Sequence, residues 1–237
     1  MNNADNTLKK EAEALVLDFG SVVTLTMFET HRFSERNIGL PEGSLTWMGP
    51  FDPKADALWS SMQRDEITER DYWLTRAKET GKLVGEEWTT MAEFIIRARG
   101  KNTEKIIRPE IIPLINVVKA AGKKLAILSN ELDLFFGKEL RQSLKCLDHF
   151  DVISDATYTK ILKPDPRAYQ HCLNSLQLHA DQCVFIDDQL RNVKGGLDVG
   201  MRSIHLDVHH PRNAFNTALK ELAIAQAFTS PGVLEPA

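Results

Sequence analysis

Cysteine is scarce in this chain of 237 residues, which contains only Cys146, Cys172 and Cys183. An odd number of cysteines without metal-ligand spacing argues against a cysteine-based metal site. Cys183 opens an apolar run, where a thiol behaves as a small hydrophobic side chain. We therefore expect no catalytic thiol, and a reducing compartment such as the cytoplasm fits this cysteine usage best.

A surplus of basic residues and long apolar stretches are also missing. The formal net charge is −4, and the charged residues are interspersed, so the sequence offers no basic surface for nucleic acid. No stretch approaches the roughly 18 apolar residues of a membrane span. The first thirteen residues are mostly polar and lack the apolar segment of a signal peptide. We expect a cytoplasmic protein with a frayed N-terminus that binds neither nucleic acid nor a membrane.

The sequence does contain enough apolar residues, 43% of the chain, to bury a full core. Three apolar runs of four residues each end abruptly at polar groups. The runs and the groups that follow them are 14–17 before Asp18, 125–128 before Ser129-Asn130 and 183–186 before Asp187-Asp188. This pattern is typical of buried parallel strands that present polar groups at their carboxyl ends. We therefore expect Asp18, Ser129 and Asp187 to converge at one edge of one sheet.

Helical patterns alternate with strand patterns through most of the chain. The predicted helices are 109–121, 134–147, 166–176 and 192–199, and the further strands are 152–153 and 203–206. This alternation predicts an α/β fold with a doubly wound parallel sheet. Gly20 is expected to loosen the backbone where the chain leaves the first strand. The tail 228–237 is expected to have too little apolar content for structure of its own.

The segment 28–107 interrupts the alternation with amphipathic helices. Its large apolar residues Trp59, Trp73, Trp88 and Phe94 are interpreted as the core of a helical cap. Thr68 and Asp71 have the spacing of a capping box at a helix start. We predict an α/β core made of residues 1–27 and 108–237 and a helical cap made of residues 28–107.

The polar groups occur in a specific order along the chain. Asp18, Ser129-Asn130, Lys163-Pro164 and Asp187-Asp188, with a long insert after the first, resemble the haloacid dehalogenase superfamily of hydrolases over about residues 14–210. The segments 17–23, 128–130, 163–169 and 185–189 are similar to a subgroup that includes a bacterial α-D-glucose-1-phosphate phosphatase and the phosphatase domain of soluble epoxide hydrolases. The resemblance implies a Rossmann-like core with strand order 3-2-1-4-5.

These groups also suit phosphoryl transfer. Phosphate monoesters are dianions, so a carboxylate nucleophile needs cations beside it. Asp18 is the predicted nucleophile, which would form an aspartyl-phosphate that water then hydrolyses. Ser129 and the amide of Asn130 would donate hydrogen bonds to phosphate oxygens, and Lys163 would supply a fixed positive charge. We predict Asp18, Ser129 and Lys163 as catalytic residues, with Ser129, Asn130 and Lys163 also binding substrate.

Magnesium is the predicted cofactor, because Mg²⁺ prefers oxygen ligands and keeps several waters. Asp18 and Asp187 would each offer a carboxylate, and the resemblance assigns a backbone carbonyl to Gly20. Asp188, beside Asp187, would act through water or from outside the ligand sphere. Asn192 would either orient Asp188 or cap the helix that follows.

Gly20 departs from the commonest pattern of the superfamily, in which a second Asp at this position protonates the leaving oxygen. General acid catalysis contributes roughly 100- to 10,000-fold, so a simple alkyl ester would react poorly without it. The hemiacetal oxygen of a sugar 1-phosphate leaves more easily, and the glucose-1-phosphate phosphatase also carries Gly here. We expect a small phosphorylated metabolite as substrate, with a sugar phosphate favoured over an alkyl ester.

Two other functions remain open. A dehalogenase, in which an Asp carboxylate displaces halide from carbon, would need no acid, but it would leave Asp187-Asp188 without a purpose. The turn 20–22 also lacks the aromatic-Gly-Thr pattern of those enzymes. The other alternative is a catalytically weak binding or regulatory protein, against which the intact Asp18, Lys163 and Asp187 argue.

Substrate selection is expected to lie in the cap. Phe28, His31, Trp47 and Arg64 are the candidates, because they are aromatic or polar and lie in or near the insert. The sequence does not fix the oligomeric state.

Overall fold

A five-stranded parallel sheet forms the centre of the computed structural model, which describes residues 11–100 and 103–236. The strands are β1 (Ala14–Leu17), β2 (Lys124–Ser129), β3 (Val152–Asp155), β4 (Cys183–Asp187) and β5 (Arg202–His205). Their order is β3-β2-β1-β4-β5, and every neighbouring pair is parallel. The predicted doubly wound α/β fold and its strand order are confirmed.

Both faces of the sheet are buried, because alternate strand residues point to opposite sides. The helices outside the insert are α5 (Ile111–Ala120), α6 (Leu132–Ser143), α7 (Ala156–Thr159), α8 (Pro166–Leu176), α9 (Leu190–Asp198) and α10 (Pro211–Glu221). Leu15 and Leu17 of β1 belong to one apolar cluster with residues of α5 and α10. Ala14 and Val16 belong to a second cluster, with Tyr169 of α8. These two layers hold the strand ends in fixed register.

The segment between residues 28 and 107 is helical, and it contains α1 (His31–Ile38), α2 (Ala57–Gln63), α3 (Glu69–Leu83) and α4 (Met91–Arg99). These helices share a third apolar cluster that includes Trp59, Trp88 and Phe94, with Trp73 packed against it. The four residues interpreted as cap core therefore do pack together. The chain leaves and re-enters the core side by side, since Leu25 N donates to Ile106 O at 2.7 Å. The division into core and cap at residues 27 and 108 stays a prediction.

The capping box predicted for the insert is present. Thr68 is the N-cap of α3, where its side chain accepts from Asp71 N and the Asp71 carboxylate accepts from Thr68 N. Helix α6, by contrast, begins at Leu132, two residues before its predicted start. A residue of β3 caps the start of this helix: the Asp155 carboxylate accepts from Leu132 N at 3.2 Å and from Asp133 N at 2.9 Å.

The prediction that the tail lacks structure is wrong. Strands β6 (Gln226–Ser230) and β7 (Val233–Pro236) form an antiparallel hairpin. Phe228 is buried against Phe215, and the Asn216 side chain accepts from Phe228 N and donates to Phe228 O. One aromatic anchor and one side-chain amide that imitates a strand partner are sufficient to order this segment on α10.

Three other expectations concern the N-terminus, the cysteines and membrane spans. The frayed N-terminus predicted for the first thirteen residues falls mostly outside the described residues. The three cysteines are free and buried, and burial raises the pKa of the Cys183 thiol to about 12. Across residues 11–100 and 103–236, no helix is long and apolar enough to span a membrane.

Candidate active site

The polar groups that follow three apolar strands lie at one edge of the sheet. β1 lies between β2 and β4, so Asp18, which directly follows β1, is flanked by Ser129 at the end of β2 and Asp187 at the end of β4. Asp18 N donates to Ile186 O at 2.9 Å, which continues the pairing of β1 with β4 to the nucleophile candidate. Asp18, Ser129 and Asp187 therefore converge at one edge of the sheet, as expected.

Lys163 lies at the centre of this edge. Its Nζ donates to Asp18 Oδ1 at 2.7 Å and to Asp187 Oδ2 at 2.6 Å, and its side chain is 1% exposed. The Asn130 side chain holds the backbone of Lys163 from both sides, since Oδ1 accepts from Lys163 N at 2.7 Å and Nδ2 donates to Lys163 O at 3.1 Å. The side chain of Asn130 therefore positions the backbone of Lys163, a role that the sequence did not indicate.

The buried charges shift one another strongly. Burial raises the pKa of Asp18 to about 7, with the nearby charge of Asp187 adding to the rise and Lys163 opposing it. Burial, Asp187 and Asp18 likewise raise the pKa of Asp188 well above its ordinary value. For Lys163, burial alone would lower the pKa, but the two carboxylates outweigh burial and raise it.

Asp18, Asp187 and Asp188 form a cluster, called here the carboxylate cluster, in which each offers an oxygen within 4.8 Å of the others. Three carboxylates and the single ammonium of Lys163 leave two net negative charges when all are ionised. Carboxylate oxygens are the donors that hard divalent cations prefer. The donor set and its charge therefore fit a divalent ion.

Gly20 does not have the unusual backbone that its sequence position suggested. Its φ is −65° and its ψ is 136°, values open to any residue, while the positive φ of this turn, 62°, falls on Ser21. A Cβ atom built on Gly20 would meet Asp18 Oδ2 at 3.9 Å, an ordinary contact. The expectation that Gly20 loosens the backbone is wrong, and a side chain at this position would have room beside Asp18.

Asn192 contacts Asp187 and lies within a helix. Its Nδ2 donates to Asp187 Oδ1 at 3.1 Å and to Oδ2 at 3.2 Å, while Gln189 N donates to Asp187 Oδ1 at 2.8 Å. Helix α9 begins at Leu190 with Gln189 as its N-cap, so the capping role considered for Asn192 is wrong. The partner also differs, because Asn192 orients Asp187 rather than Asp188.

A cavity of about 640 Å³ lies over this edge of the sheet. The core contributes Asp18, Ser129, Lys163 and Asp188 to its wall. The insert contributes apolar side chains, which include Phe28, Trp59, Trp73, Met91 and Ile95, and about as many polar and charged ones. A ligand in this cavity would therefore contact both charged and aromatic groups.

Of the four cap candidates, only Phe28 lines the cavity. His31 and Trp47 instead pack on each other, with ring centroids 4.4 Å apart, and burial lowers the pKa of His31 to about 4. Arg64 points to the surface, where its Nε donates to Glu66 Oε1 at 2.6 Å. The expectation that His31, Trp47 and Arg64 face the site is wrong, because the aromatic cluster and a local ion pair satisfy them elsewhere.

Several charged cavity residues were not predicted from the sequence, and four of them form two ion pairs. Arg70 and Glu131 form one ion pair, and Arg191 Nη2 lies 3.3 Å from Glu69 Oε2 in another, so each pair joins α3 of the insert to the core. Glu131 and Arg191 lie one and three residues beyond Asn130 and Asp188, and this proximity was a usable signal. Glu69 and Arg70 gave no such signal, because the capping box around them already accounted for polar residues there.

Comparisons with known proteins agree with this geometry. The family model of haloacid dehalogenase-like hydrolases matches residues 11–200. Acyl-CoA dehydrogenase family member 10 of Mus musculus is 29% identical over 174 residues, which cover 72% of this chain and 15% of that protein. The sesquiterpene phosphatase astK of Aspergillus oryzae is 28% identical over 150 residues, which cover 62% of this chain and 71% of that protein.

Among solved structures, the magnesium-bound putative hydrolase YfnB of Bacillus subtilis has the same fold with a TM-score of 0.60. It is 19% identical, and the match covers 83% of this chain and 87% of that one. The chain thus spans a small part of its mouse relative but most of its structural neighbour. Since the family model covers most of the sequence and the strand ends bear the polar groups quoted above, the chain belongs to the haloacid dehalogenase-like hydrolases.

Proposed function

We propose that this chain is a magnesium-dependent phosphatase that acts on a small phosphorylated metabolite through an aspartyl-phosphate intermediate. The observation that carries the proposal is the contact of Lys163 with both Asp18 and Asp187 at the floor of the cavity. A nucleophilic carboxylate approaching a phosphate dianion needs such a fixed cation beside it. The phosphatase name of the Aspergillus relative supports the same reaction class.

In the proposed reaction, Asp18 attacks phosphorus and displaces the leaving oxygen. Lys163 offsets the negative charge of the transferring group, while the Ser129 hydroxyl and the amide of Asn130 donate hydrogen bonds to its oxygens. Water then attacks the aspartyl-phosphate, which releases inorganic phosphate and restores the carboxylate. Asp18, Ser129 and Asn130 lie at or next to strand ends, and Lys163 contacts Asp18 directly.

The carboxylate cluster and the Gly20 carbonyl would hold Mg²⁺. When bound, the ion supplies positive charge that favours the ionised form of Asp18 and neutralises the phosphate oxygens. Asn192 and the amide of Gln189 orient Asp187 toward this position. The magnesium-bound structural neighbour supports this choice of metal.

The finer parts of the proposal concern substrate and setting. The sugar phosphate and the cytoplasmic location predicted from the sequence remain part of it, and residues 28–107 would form the cap that closes over substrate. The cavity volume of about 640 Å³ suits a small metabolite. The carboxylate cluster favours phosphoryl transfer over dehalogenation, because displacement of halide from carbon uses no metal.

Phosphate release from aryl, alkyl and anomeric sugar phosphates, with magnesium or EDTA, tests the proposal. We expect magnesium-dependent turnover that Asp18→Asn abolishes. Asp198→Asn, which changes an exposed aspartate of α9, should leave turnover intact and serves as the matched control. Absence of turnover on every ester, or halide release from a haloacid without metal, would overturn the phosphatase assignment.

A further inference from the structure

Cleavage of an alkyl phosphate needs a proton donor as well as a nucleophile. The leaving alkoxide has a high pKa, and a positioned general acid contributes roughly 100- to 10,000-fold to its departure. Gly20 cannot supply the proton, although a side chain there would have room beside Asp18. Either the chain acts only on esters whose leaving group needs no proton, or another group in the cavity supplies it.

Several carboxyl groups besides the carboxylate cluster line the cavity. Within the described residues they belong to Asp65, Glu66, Glu69, Asp71 and Glu131. Asp71 is engaged in the capping box, where its Oδ2 accepts from Thr68 Oγ1 at 2.6 Å. The Arg64 hydrogen bond lowers the pKa of Glu66 to about 2, so this group is a poor proton donor. The Asp65 side chain is 79% exposed and forms an ion pair with Arg191, so it is a surface carboxylate rather than an enclosed one.

Glu131 and Glu69 remain, and their partners separate them. Arg70 Nε donates directly to Glu131 Oε1 in a close ion pair, and this contact opposes the rise that burial gives the pKa of Glu131. The contact of Glu69 with Arg191 is longer, at 3.3 Å, and Arg191 divides its guanidinium between Glu69 and Asp65. Glu69 is therefore the less firmly paired of the two.

Glu69 also shares the cavity with the reacting groups. It is the first residue of α3, it lines the cavity together with Asp18 and Gly20, and its side chain keeps 35% of its surface accessible. Burial raises its pKa; Arg191 opposes this rise and the charge of Asp187 adds to it. An acid must be protonated before it can donate, so this environment suits a general acid.

We propose that Glu69 of α3 donates the proton to the leaving oxygen and so replaces the acid that is missing at Gly20. The inference rests on the proposed phosphatase function. Asp18 forms an oxygen–phosphorus bond as the bond to the leaving oxygen breaks, and that oxygen keeps the electron pair and takes the proton of Glu69. The Glu69 carboxylate then accepts a proton from the water that hydrolyses the aspartyl-phosphate, which regenerates both groups.

The test is a comparison of leaving groups. In the wild type, kcat/KM for alkyl phosphates should be measurable and should depend weakly on leaving-group pKa. Glu69→Gln should lower kcat/KM roughly 100- to 10,000-fold for an alkyl phosphate but only slightly for para-nitrophenyl phosphate, whose leaving group needs no proton. Glu79→Gln, the same substitution on the same helix but outside the cavity wall, should change neither.

Two further variants separate catalysis from structure. Arg191→Gln breaks the same ion pair but keeps the carboxyl, so it should not steepen the dependence on leaving-group pKa. Gly20→Asp added to Glu69→Gln should restore alkyl turnover, because the new carboxyl would lie beside Asp18. Glu69→Asp, which retains a shorter carboxyl, should lose alkyl turnover preferentially and provides a second measurement if Glu69→Gln folds poorly.

The outcomes that overturn the inference differ from those that overturn the phosphatase assignment. An equal loss on all esters in Glu69→Gln, no restoration by Gly20→Asp, or a wild type active on aryl but not alkyl phosphates would each exclude Glu69 as the acid. In those cases Asp18→Asn would still abolish the remaining turnover. A wild type that hydrolyses no ester at all would instead contradict the phosphatase assignment itself.

Discussion

Lys163 is the residue on which the charge balance of the site depends most. Its ammonium group is almost fully buried and bridges Asp18 and Asp187, which come from neighbouring strands. Removing one partner of a buried ion pair leaves the other charge uncompensated, and this is costlier than losing a surface pair. Lys163 therefore serves both the stability of the strand ends and the proposed reaction.

Lys163→Met should lower phosphate release at least about 100- to 1,000-fold, because the fixed cation beside the phosphate is lost. In metal-free protein it should also lower the free energy of unfolding by about 3–5 kcal/mol, which urea unfolding in EDTA measures. Lys194→Met, on the exposed face of α9, is the matched control. An unchanged urea midpoint in Lys163→Met would contradict the structural part of this prediction.

Asn192 acts on the site through Asp187. Because its amide donates to both carboxylate oxygens of Asp187, Asn192→Ala should remove one of the three groups that orient this carboxylate, beside Lys163 and Gln189 N. Loss of such an outer partner typically weakens metal binding about 10- to 100-fold. The Mg²⁺ concentration for half-maximal activity should rise by that factor, with kcat at saturating metal less affected. Asn174→Ala, an exposed change on α8, should leave the metal dependence as it is.

At the scale of secondary structure, a helix start can be predicted well when the residue that caps its first amide groups is adjacent in sequence. Helix α8 runs from Pro166 to Leu176 as predicted, because Asp165 caps it locally and Pro166 occupies its first position. Helix α6 starts earlier than predicted because Asp155, which lies on β3, caps it from a distance. A cap that is distant in sequence leaves no local pattern to find.

The C-terminal hairpin gives a prediction at this scale. Phe228→Ala should lower the free energy of unfolding by about 3–5 kcal/mol, because the ring is buried against Phe215 and its removal leaves a cavity. Chemical denaturation measures the change. Val233→Ala, on the exposed side of the hairpin, should have little effect. If the two variants were equally stable, the hairpin would not be anchored by Phe228.

Across the whole molecule, the site has a cost in stability when no metal is bound. The pKa of Asp18 is about 7 in the folded protein, compared with 3.8 for an ordinary Asp. Between these pH values the folded state binds the extra proton, so unfolding becomes easier as pH rises through this window. His31 has the opposite effect, because burial lowers its pKa from 6.5 to about 4, which makes stability rise with pH there.

The difference between wild type and Asp18→Asn isolates the first effect. In EDTA, the free energy of unfolding of the wild type minus that of the variant should fall as pH rises from about 4 to about 7. Each pH unit can contribute at most about 1.4 kcal/mol for one group. Urea unfolding at several pH values measures it, with Asp198→Asn as the control. A difference that is flat or rises with pH would contradict the raised pKa of Asp18.

The sequence by itself determined the sheet and the chemistry of its edge. Apolar runs that end at Asp18, Ser129 and Asp187 carry their own strand signal, and parallel strands bring their carboxyl ends together. Most helix positions followed for the same reason, since apolar periodicity and local caps are properties of adjacent residues. The change to amphipathic helices in residues 28–107 indicated the insert, and the family resemblance added the strand order.

Tertiary structure alone decided which residues of the insert reach the site. Phe28 lines the cavity while His31 and Trp47 are enclosed in an aromatic cluster, although all three are aromatic or polar residues of one short stretch. Nor could sequence spacing place Glu69 near Arg191, because their contact joins positions 122 residues apart. Side chains that meet through packing leave no periodic signal in the chain, so their roles emerge only when the fold is known.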